Sequence, residues 1–526
     1  MPLATADALL ILPTISARIA FAFLLGAVLY TLSIFFIRQN IKDKDGHPIP
    51  PGPLLRYPYL PQYPEVYLDE WAKKHGPIYS LFMGTQLYIV ISDPYMARDI
   101  FINHGAVFSS RKDYFIKNRA ILRGRGITSA QYNDTWRFHR RAASQFLTQK
   151  AVDGFANMID YEAHILIKSL YEDSLQGAIP VKPQFHTVRF ALNVMMAMSL
   201  GTRTDSMTDP LVARTLKIAI EFNDLTGPLS NMADFVPLLQ WFQTNKQKRA
   251  RKLHDEMISV YGALLLQLQT RLNAKEGVPD CLGKNLLQLR AQGQMDWEDI
   301  CMLTGVFTLG GVHSTAGLIQ WFLALLPSHP EVARRAHAEM DSVLGRDQWP
   351  SAEDEERLPY IRAIVKEVQR VHAPFWLATP HYSTEDYVYN GMFIPKDTAM
   401  IINCYTLHHN ERRYPNPEAF NPDRYLGDRH SNADSTKLSN VWERDHWTFG
   451  AGRRGCPGII VAERELWLAY ARLLWSFTAH EIPGEPISLE EYEGASGRTP
   501  VPFRMKLIPR HERVHSILQT KDEITL

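Results

Sequence analysis

The stretch TFGAGRRGCPG, residues 448–458, places one cysteine among four glycines, two arginines and a proline. Gly450, Gly452 and Gly455 permit positive φ and close backbone approach, so the segment is expected to form a tight loop against something flat or bulky. Pro457 suits the first turn of a helix, and the following IIVAERELWLAYARLLWSF repeats apolar residues at helical spacing. Cys456 is therefore predicted to sit at a helix N-terminus. There the unpaired N–H groups, the helix dipole and the nearby Arg453 and Arg454 are expected to lower the thiol pKa. Such a sulfur can serve as a nucleophile, a redox thiol or a metal ligand.

Length and composition narrow that choice. The chain has 526 residues, 45% hydrophobic and 11% aromatic, enough for a large core without disulfides. Cys281, Cys301, Cys404 and Cys456 fit a reducing compartment, and none is paired as CxxC, which argues against a zinc site or a dithiol motif. A formal charge of +1 and the lack of a strongly basic stripe argue against a nucleic-acid partner.

Residues 19–36, IAFAFLLGAVLYTLSIFF, carry no charge over close to the roughly 20 residues that span a bilayer. They are read as a transmembrane anchor over 19–37, preceded by a short lumenal N-terminus at 1–18. A cleaved signal peptide has a shorter apolar core, about 7 to 15 residues. Arg38, Lys42 and Lys44 follow the run while only Arg18 closely precedes it, so the positive-inside rule places the body in the cytosol. The sequon Asn133-Asp134-Thr135 then escapes glycosylation. Residues 38–55 are basic and proline-rich: Pro48, Pro50, Pro51 and Pro53 force extended backbone around Gly52, giving a semi-rigid hinge. From 56 to 510 no linker, low-complexity tract or repeat interrupts the chain, and 511–526 read as a polar tail.

The body is predicted to be mainly α with a minor β-sheet. YIVISD and residues 387–400 have strand and turn character, whereas 184–326 and the stretch after Cys456 carry helical periodicity. The longest apolar helix is expected over 297–326 and contains LGGVHSTAG. Gly310 and Gly311 inside it cost about 1 kcal/mol each relative to alanine, so something should press on that backbone, and close helix packing is the plainest explanation. In KEVQR, Glu367 and Arg370 lie three apart on one helix face; alone this is an ordinary surface pair, but Arg424 of FNPDRY can meet the same carboxylate. In WRFHRR, Trp136 and Arg140 offer an indole N–H and a guanidinium on one face, unless this is simply a solvated basic helix.

Taken in order, Trp136/Arg140, the glycine-paired helix, Glu367/Arg370, Arg424 and FGAGRRGCPG resemble the cytochrome P450 superfamily of haem-thiolate monooxygenases. The resemblance runs from the anchor to Arg510. Phe449, Gly452, Arg454, Cys456 and Gly458 match its cysteine loop, and NPEAFNPDRY its aromatic-proline-arginine segment. It implies the P450 fold behind one N-terminal transmembrane helix, and haem b ligated by the Cys456 thiolate, which favours O–O cleavage. By the same likeness Trp136, Arg140 and Arg454, with His381 as a further candidate, hold the propionates, and Glu367, Arg370 and Arg424 are structural. Electrons would come from NADPH through a cytochrome P450 reductase on the endoplasmic reticulum membrane, with the single-pass body facing the cytosol.

The family usually places an acid and a threonine after the glycine pair of the long helix. Here Val312 is followed by His313, Ser314 and Thr315. Ser314 keeps a hydroxyl near dioxygen, His313 can shuttle protons near neutral pH, and Thr315 is the alternative relay. The changed acid position leaves two other readings open: a haem-thiolate isomerase or dehydratase needing no external electrons, and a non-catalytic haem-binding protein. VFSSRKDYF, ILRGRGITSAQYNDTWRFHRR and TPHYSTEDYVYNGMFIPK look like fungal microsomal enzymes of secondary metabolism, a group that includes the m-cresol and m-hydroxybenzyl alcohol hydroxylases of patulin biosynthesis. A small phenolic or aromatic substrate is implied, with a pocket lined from 109–127, 305–314, 375–380 and near Thr499.

Overall fold

The spine of the computed structural model is the helix Trp297–Ser328. The structure describes residues 40–520 apart from 58, 61, 205, 207 and 208, together with 21, 25, 26 and 38. The expected anchor and lumenal N-terminus lie almost wholly outside these residues. The spine starts at a capping box, in which Asp296 and Asp299 satisfy each other's backbone N–H groups. It ends where Pro327 and Pro330 deny it further hydrogen bonds. Among the described residues it is the one helix long and apolar enough to cross a bilayer, yet it is the core of the body, packed against Pro183–Leu200, Asn245–Asn273 and Ile459–Ser476.

The principal sheet has six strands. In chain order the strands that matter are β1 (Arg56–Tyr57), β2 (Ile78–Met83), β3 (Gln86–Ile91), β4 (Ser110–Arg111), β5 (His381–Tyr382), β6 (Tyr387–Tyr389), β7 (Met392–Ile394) and β8 (Ala399–Ile402). The sheet runs β1-β2-β3-β8-β5-β4, and β6 and β7 form a separate hairpin. β2 and β3 are antiparallel, from Ile78 opposite Ile91 to Met83 opposite Gln86, and both are nearly continuous apolar runs because both faces are covered. Asn390 and Gly391, both at positive φ, turn the β6–β7 hairpin as an Asn-Gly pair should. The β4–β5 pairing, Ser110 opposite Tyr382 and Arg111 opposite His381, brings two sequence segments some 270 residues apart to one wall of the site.

Two segments differ from expectation. The proline-rich stretch, expected as a semi-rigid hinge, is bonded to the body: Arg38 donates to Pro50 O, Pro53 O and Ser80 Oγ, Ser80 N donates to Pro51 O, and Phe393 N donates to Pro48 O. Gly52 is no pivot, since a Cβ there would collide with Ser80 O; it allows backbone to press on β2. The described part of the polar tail, 511–520, folds as well. Arg513–Thr520 is a helix whose Val514 and Leu518, four apart, are buried, and His515 Nδ1 meets Tyr171 OH at 3.1 Å.

Candidate active site

The cysteine loop is held from outside before it is shaped from within. Arg370 on the helix Pro359–Val371 is fully buried and uses all five of its N–H donors: two to Glu367 at 2.7 and 2.8 Å, and the rest to the carbonyls of His408, Pro417 and Ala419. Glu367 also accepts Asn421 N at 2.9 Å and Arg424 Nε at 3.2 Å, and Arg424 continues to Pro415 O and Asn416 O. The pair is thus a buried clamp on 415–424, not a surface ion pair. His408, bonded through Nδ1 to Arg370 O, accepts Trp447 N through Nε2 at 2.8 Å, and Thr448 Oγ1 donates to Gln369 O. The loop hangs directly from this helix.

Within the loop, Gly450 and Gly452 take positive φ, 69° and 60°, while Gly455 does not, its φ being −53°. Gly452 is also required by space, because a Cβ there would collide with Phe101 O. Cys456 N donates to Phe449 O at 2.8 Å, and the helix proper begins at Ile459 with Gly458 as its N-cap. Cys281, Cys301 and Cys404 are buried, whereas Cys456 presents its side chain to open space even though protein surrounds it, the mark of an internal cleft. The expected lowering of its pKa is not what the structure gives. Burial raises the thiol, opposed by the Gly458 N–H and by Arg140. Arg453 and Arg454 do not reach the sulfur: Arg453 donates to Tyr132 OH at 3.0 Å, and Arg454 donates to Ser109 O and Ala130 O, both at 2.7 Å.

Arg140 leans on Gly455 O, and Arg454 stacks with its Cζ 3.8 Å from the centre of the Trp136 ring. Trp136 therefore contributes a ring face rather than a donor; its indole N–H is taken by Ile127 O at 2.8 Å. His381 bonds through Nδ1 to Phe108 O at 2.7 Å, and burial holds its pKa well below the usual value. Sequence reasoning missed Arg111, which joins this group from β4, bonds to Thr379 O and leaves its buried Nε without a partner. Burial and repulsion from neighbouring guanidiniums draw Arg454 down to about 8 and Arg111 to about 9, and burial lowers Arg140 as well, opposed by Cys456. No carboxylate is bonded to any of the three among the described residues. A cluster of cations beside an exposed cysteine fits haem, whose two propionates would reverse that repulsion.

The spine forms another wall. Its positions around 310–314 are the uncovered part of an otherwise buried helix. The glycine pair divides: a Cβ on Gly311 would collide with Met195 Sδ, whereas one on Gly310 would meet nothing within 4 Å. Ser314, one turn after Gly310, donates its hydroxyl back to Gly310 O at 3.0 Å. Thr315 turns away to Glu465 Oε2 at 3.0 Å, a buried carboxyl that burial pushes up to about 8. His313 is held by Asn223, whose amide nitrogen lies 2.9 Å from Nε2 and also donates to Gly497 O, while its oxygen accepts Gly497 N. With its other amide hydrogen on Gly497 O, Asn223 can donate to Nε2, which fits a neutral imidazole with its proton on Nδ1. Burial lowers its pKa, opposed by the Gly497 backbone, which moves it away from the neutral-pH shuttle expected of it. Gly305 faces Tyr261 and Met257 of the neighbouring helix rather than the cleft.

The cytochrome P450 family model matches residues 48–507. The cytochrome P450 monooxygenase fogE of Aspergillus ruber is 30% identical over 510 residues, 92% of this chain and 90% of that protein. The cytochrome P450 monooxygenase patH of Aspergillus clavatus is 30% identical over 423 residues, 79% of each chain. Among solved structures, a zebrafish cytochrome P450 with progesterone aligns with a TM-score of 0.72 at 22% identity, covering 86% of this chain and all of that one.

Proposed function

The chain belongs to the cytochrome P450 family, and from that premise we propose that it is an anchored microsomal monooxygenase acting on a small aromatic or phenolic intermediate of fungal secondary metabolism. Family members carry haem b on a cysteine thiolate and use electrons derived from NADPH through a reductase. In this chain Cys456 is the ligand, and residues 56–510 form the catalytic body. The observation that carries the reading is the cleft-facing Cys456 beside the cluster of Arg111, Arg140 and Arg454. Bound there, haem supplies the iron that activates dioxygen for insertion of one oxygen atom into the substrate. The chain supplies the rest. Arg140 and Arg454 would hold the propionates, Gly310 leaves the cleft open where a side chain would enter it, and the Ser314 hydroxyl offers a proton at the uncovered turn of the spine.

Attachment to the endoplasmic reticulum membrane, with the anchor at 19–37, is supported by exposed apolar side chains on the body. Leu54, Leu55, Tyr59, Leu238, Trp241 and Phe242 are all exposed, Trp241 to 87%, and Leu60 N bonds Leu229 O, tying the chain after the first group to the stretch before the second. A small phenol such as m-cresol or m-hydroxybenzyl alcohol is the proposed substrate, drawing on the fungal relatives that include patH. Microsomes containing the protein and a reductase, given NADPH and a panel of small phenols and aromatic acids, are expected to yield a product heavier by one oxygen. No substrate-dependent product and no substrate-stimulated NADPH consumption would refute the reading. The neutral, Asn223-bound His313 in the family's acid position favours a second reading, an isomerase or dehydratase, which predicts a rearranged product without NADPH.

A further inference from the structure

Lys117 lies in the π-helical stretch Phe115–Ile121 and lines a small pocket with Tyr114, Thr226, Asn231, Thr379 and Ser496. Only 9% of it is exposed. A lysine buried to that extent ordinarily has a partner for its ammonium, because unpaired burial of charge is costly. Among the described residues Lys117 has no such partner. Its Nζ meets only the Phe222 ring, 5.9 Å from the centroid, and the one charge acting on it, Arg111, has the same sign. Burial consequently lowers it to about 8.

The pocket's one carboxylate is engaged elsewhere. Asp234 accepts Ile116 N at 3.1 Å and is further held by Phe115 N and Asn231, capping the π-helical stretch, and the cation that acts on it is Lys112. The free volume is about 10 Å³, about one water-sized group. That admits a single oxygen of a ligand's carboxylate and leaves the rest of the ligand outside the pocket. The pocket also adjoins the candidate active site on two sides. Ser496 precedes Gly497, which packs on His313 and Phe375, and Thr379 O accepts from Arg111 of the arginine cluster.

We propose that Lys117 receives a substrate carboxylate, so that among small aromatic and phenolic compounds those carrying an acid group bind most tightly. The proposal deepens the monooxygenase reading and rests on it for the fate of the bound acid, but the binding itself is measurable without turnover. The probes are benzoate and 3-hydroxybenzoate, their methyl esters, and m-cresol, titrated into the full-length holoprotein and followed by the haem difference spectrum. The wild type is expected to bind each acid at least tenfold more tightly than its ester. Lys117→Met should weaken the acids at least tenfold, about 1.4 kcal/mol, and leave the esters within twofold, while Lys117→Arg keeps the preference for acids. Wild-type acids binding no better than esters, or not at all, would overturn the proposal. So would a preference that survives in Lys117→Met, or faster haem loss in that variant with acid and ester affinities unchanged, which would assign Lys117 to the propionates. Acid preference without NADPH-dependent product from any probe would instead refute the monooxygenase reading and leave Lys117 standing.

Discussion

Glu367→Gln isolates the value of the clamp, since it removes one charge and almost no volume. Glu367 and Arg370 are both fully buried, and Arg424 is 8% exposed at its side chain. The substitution leaves two guanidiniums in the interior without an anion and turns an amide N–H₂ toward N–H donors that a carboxylate accepted at 2.7 to 3.2 Å. Removing one partner of a buried pair costs about 3–5 kcal/mol, between about a hundredfold and several thousandfold in the folding equilibrium. The loss should surface at the cysteine loop, because Arg370 O orients His408 and His408 carries Trp447 N. The assay is urea unfolding of the holoprotein, followed by the thiolate-type reduced-CO band, with the slope checked for constancy. Glu485→Gln is the control. It breaks an ion pair with Arg504 that is 45% exposed on both sides and should not move the midpoint. Glu367→Leu combined with Arg370→Met should be less damaging than the two single changes summed, because no lone charge of that pair remains. A wild-type midpoint and full haem content in Glu367→Gln would refute the account of the clamp.

Cys456→Ala is expected to abolish the thiolate-type reduced-CO spectrum, while alanine at Cys281, Cys301 or Cys404, all buried away from the cleft, leaves it intact. Gly452→Ala should lose haem because its Cβ collides with Phe101 O, whereas Gly450→Ala, at φ 69° with nothing within 4 Å, should cost about 1–2 kcal/mol of backbone strain and keep it, as haem content per purified chain will show. Glu465 titrates near 8 in the fold against 4.5 normally, so between these values the folded state holds a proton that the unfolded state has released; stability should fall as pH rises through that window and level off above it. Glu465→Gln should flatten the fall in unfolding measurements across pH. Ser314→Ala should keep haem and substrate binding while diverting NADPH electrons to hydrogen peroxide; unchanged product per NADPH would remove the Ser314 hydroxyl from the mechanism.

What the sequence disclosed, it disclosed through spacing. Glu367 and Arg370 share a helix face by the geometry of the α-helix, and Arg424 follows in a recognisable segment, so their meeting was legible; their complete burial was not. The spine was legible from Trp297 onward by its unbroken apolar periodicity. Its three consecutive polar residues were harder to read, because neighbours on a helix point about 100° apart. Which of His313, Ser314 and Thr315 faces the cleft depends on where the helix Ile459–Ser476 lies, and the partners Glu465 and Asn223 sit 150 and 90 residues away. Arg111 and Lys117 were hidden for the same reason. Each reads locally as an ordinary surface cation, and only closure of β4 against β5, and of 226–234 over the π-helical stretch, buries them. Cys456 shows the reverse error. Its local charges and helix start were visible, but the desolvation that outweighs them belongs to the whole fold.

The division of labour between Gly310 and Gly311 separates what must stay fixed from what is free to drift. Any side chain at 311 pushes the spine off Met195, so variation there is paid for in folding. At 310 a side chain enters only the cleft, and the helix itself gains about 1 kcal/mol from alanine over glycine. Alanine, serine or valine at 310 would therefore shorten the reach of the cleft one methyl-sized step at a time with the surrounding helices unmoved. A lineage or a designer that needs a different substrate size has a single-codon adjustment available, and it lies beside a neighbour that cannot change.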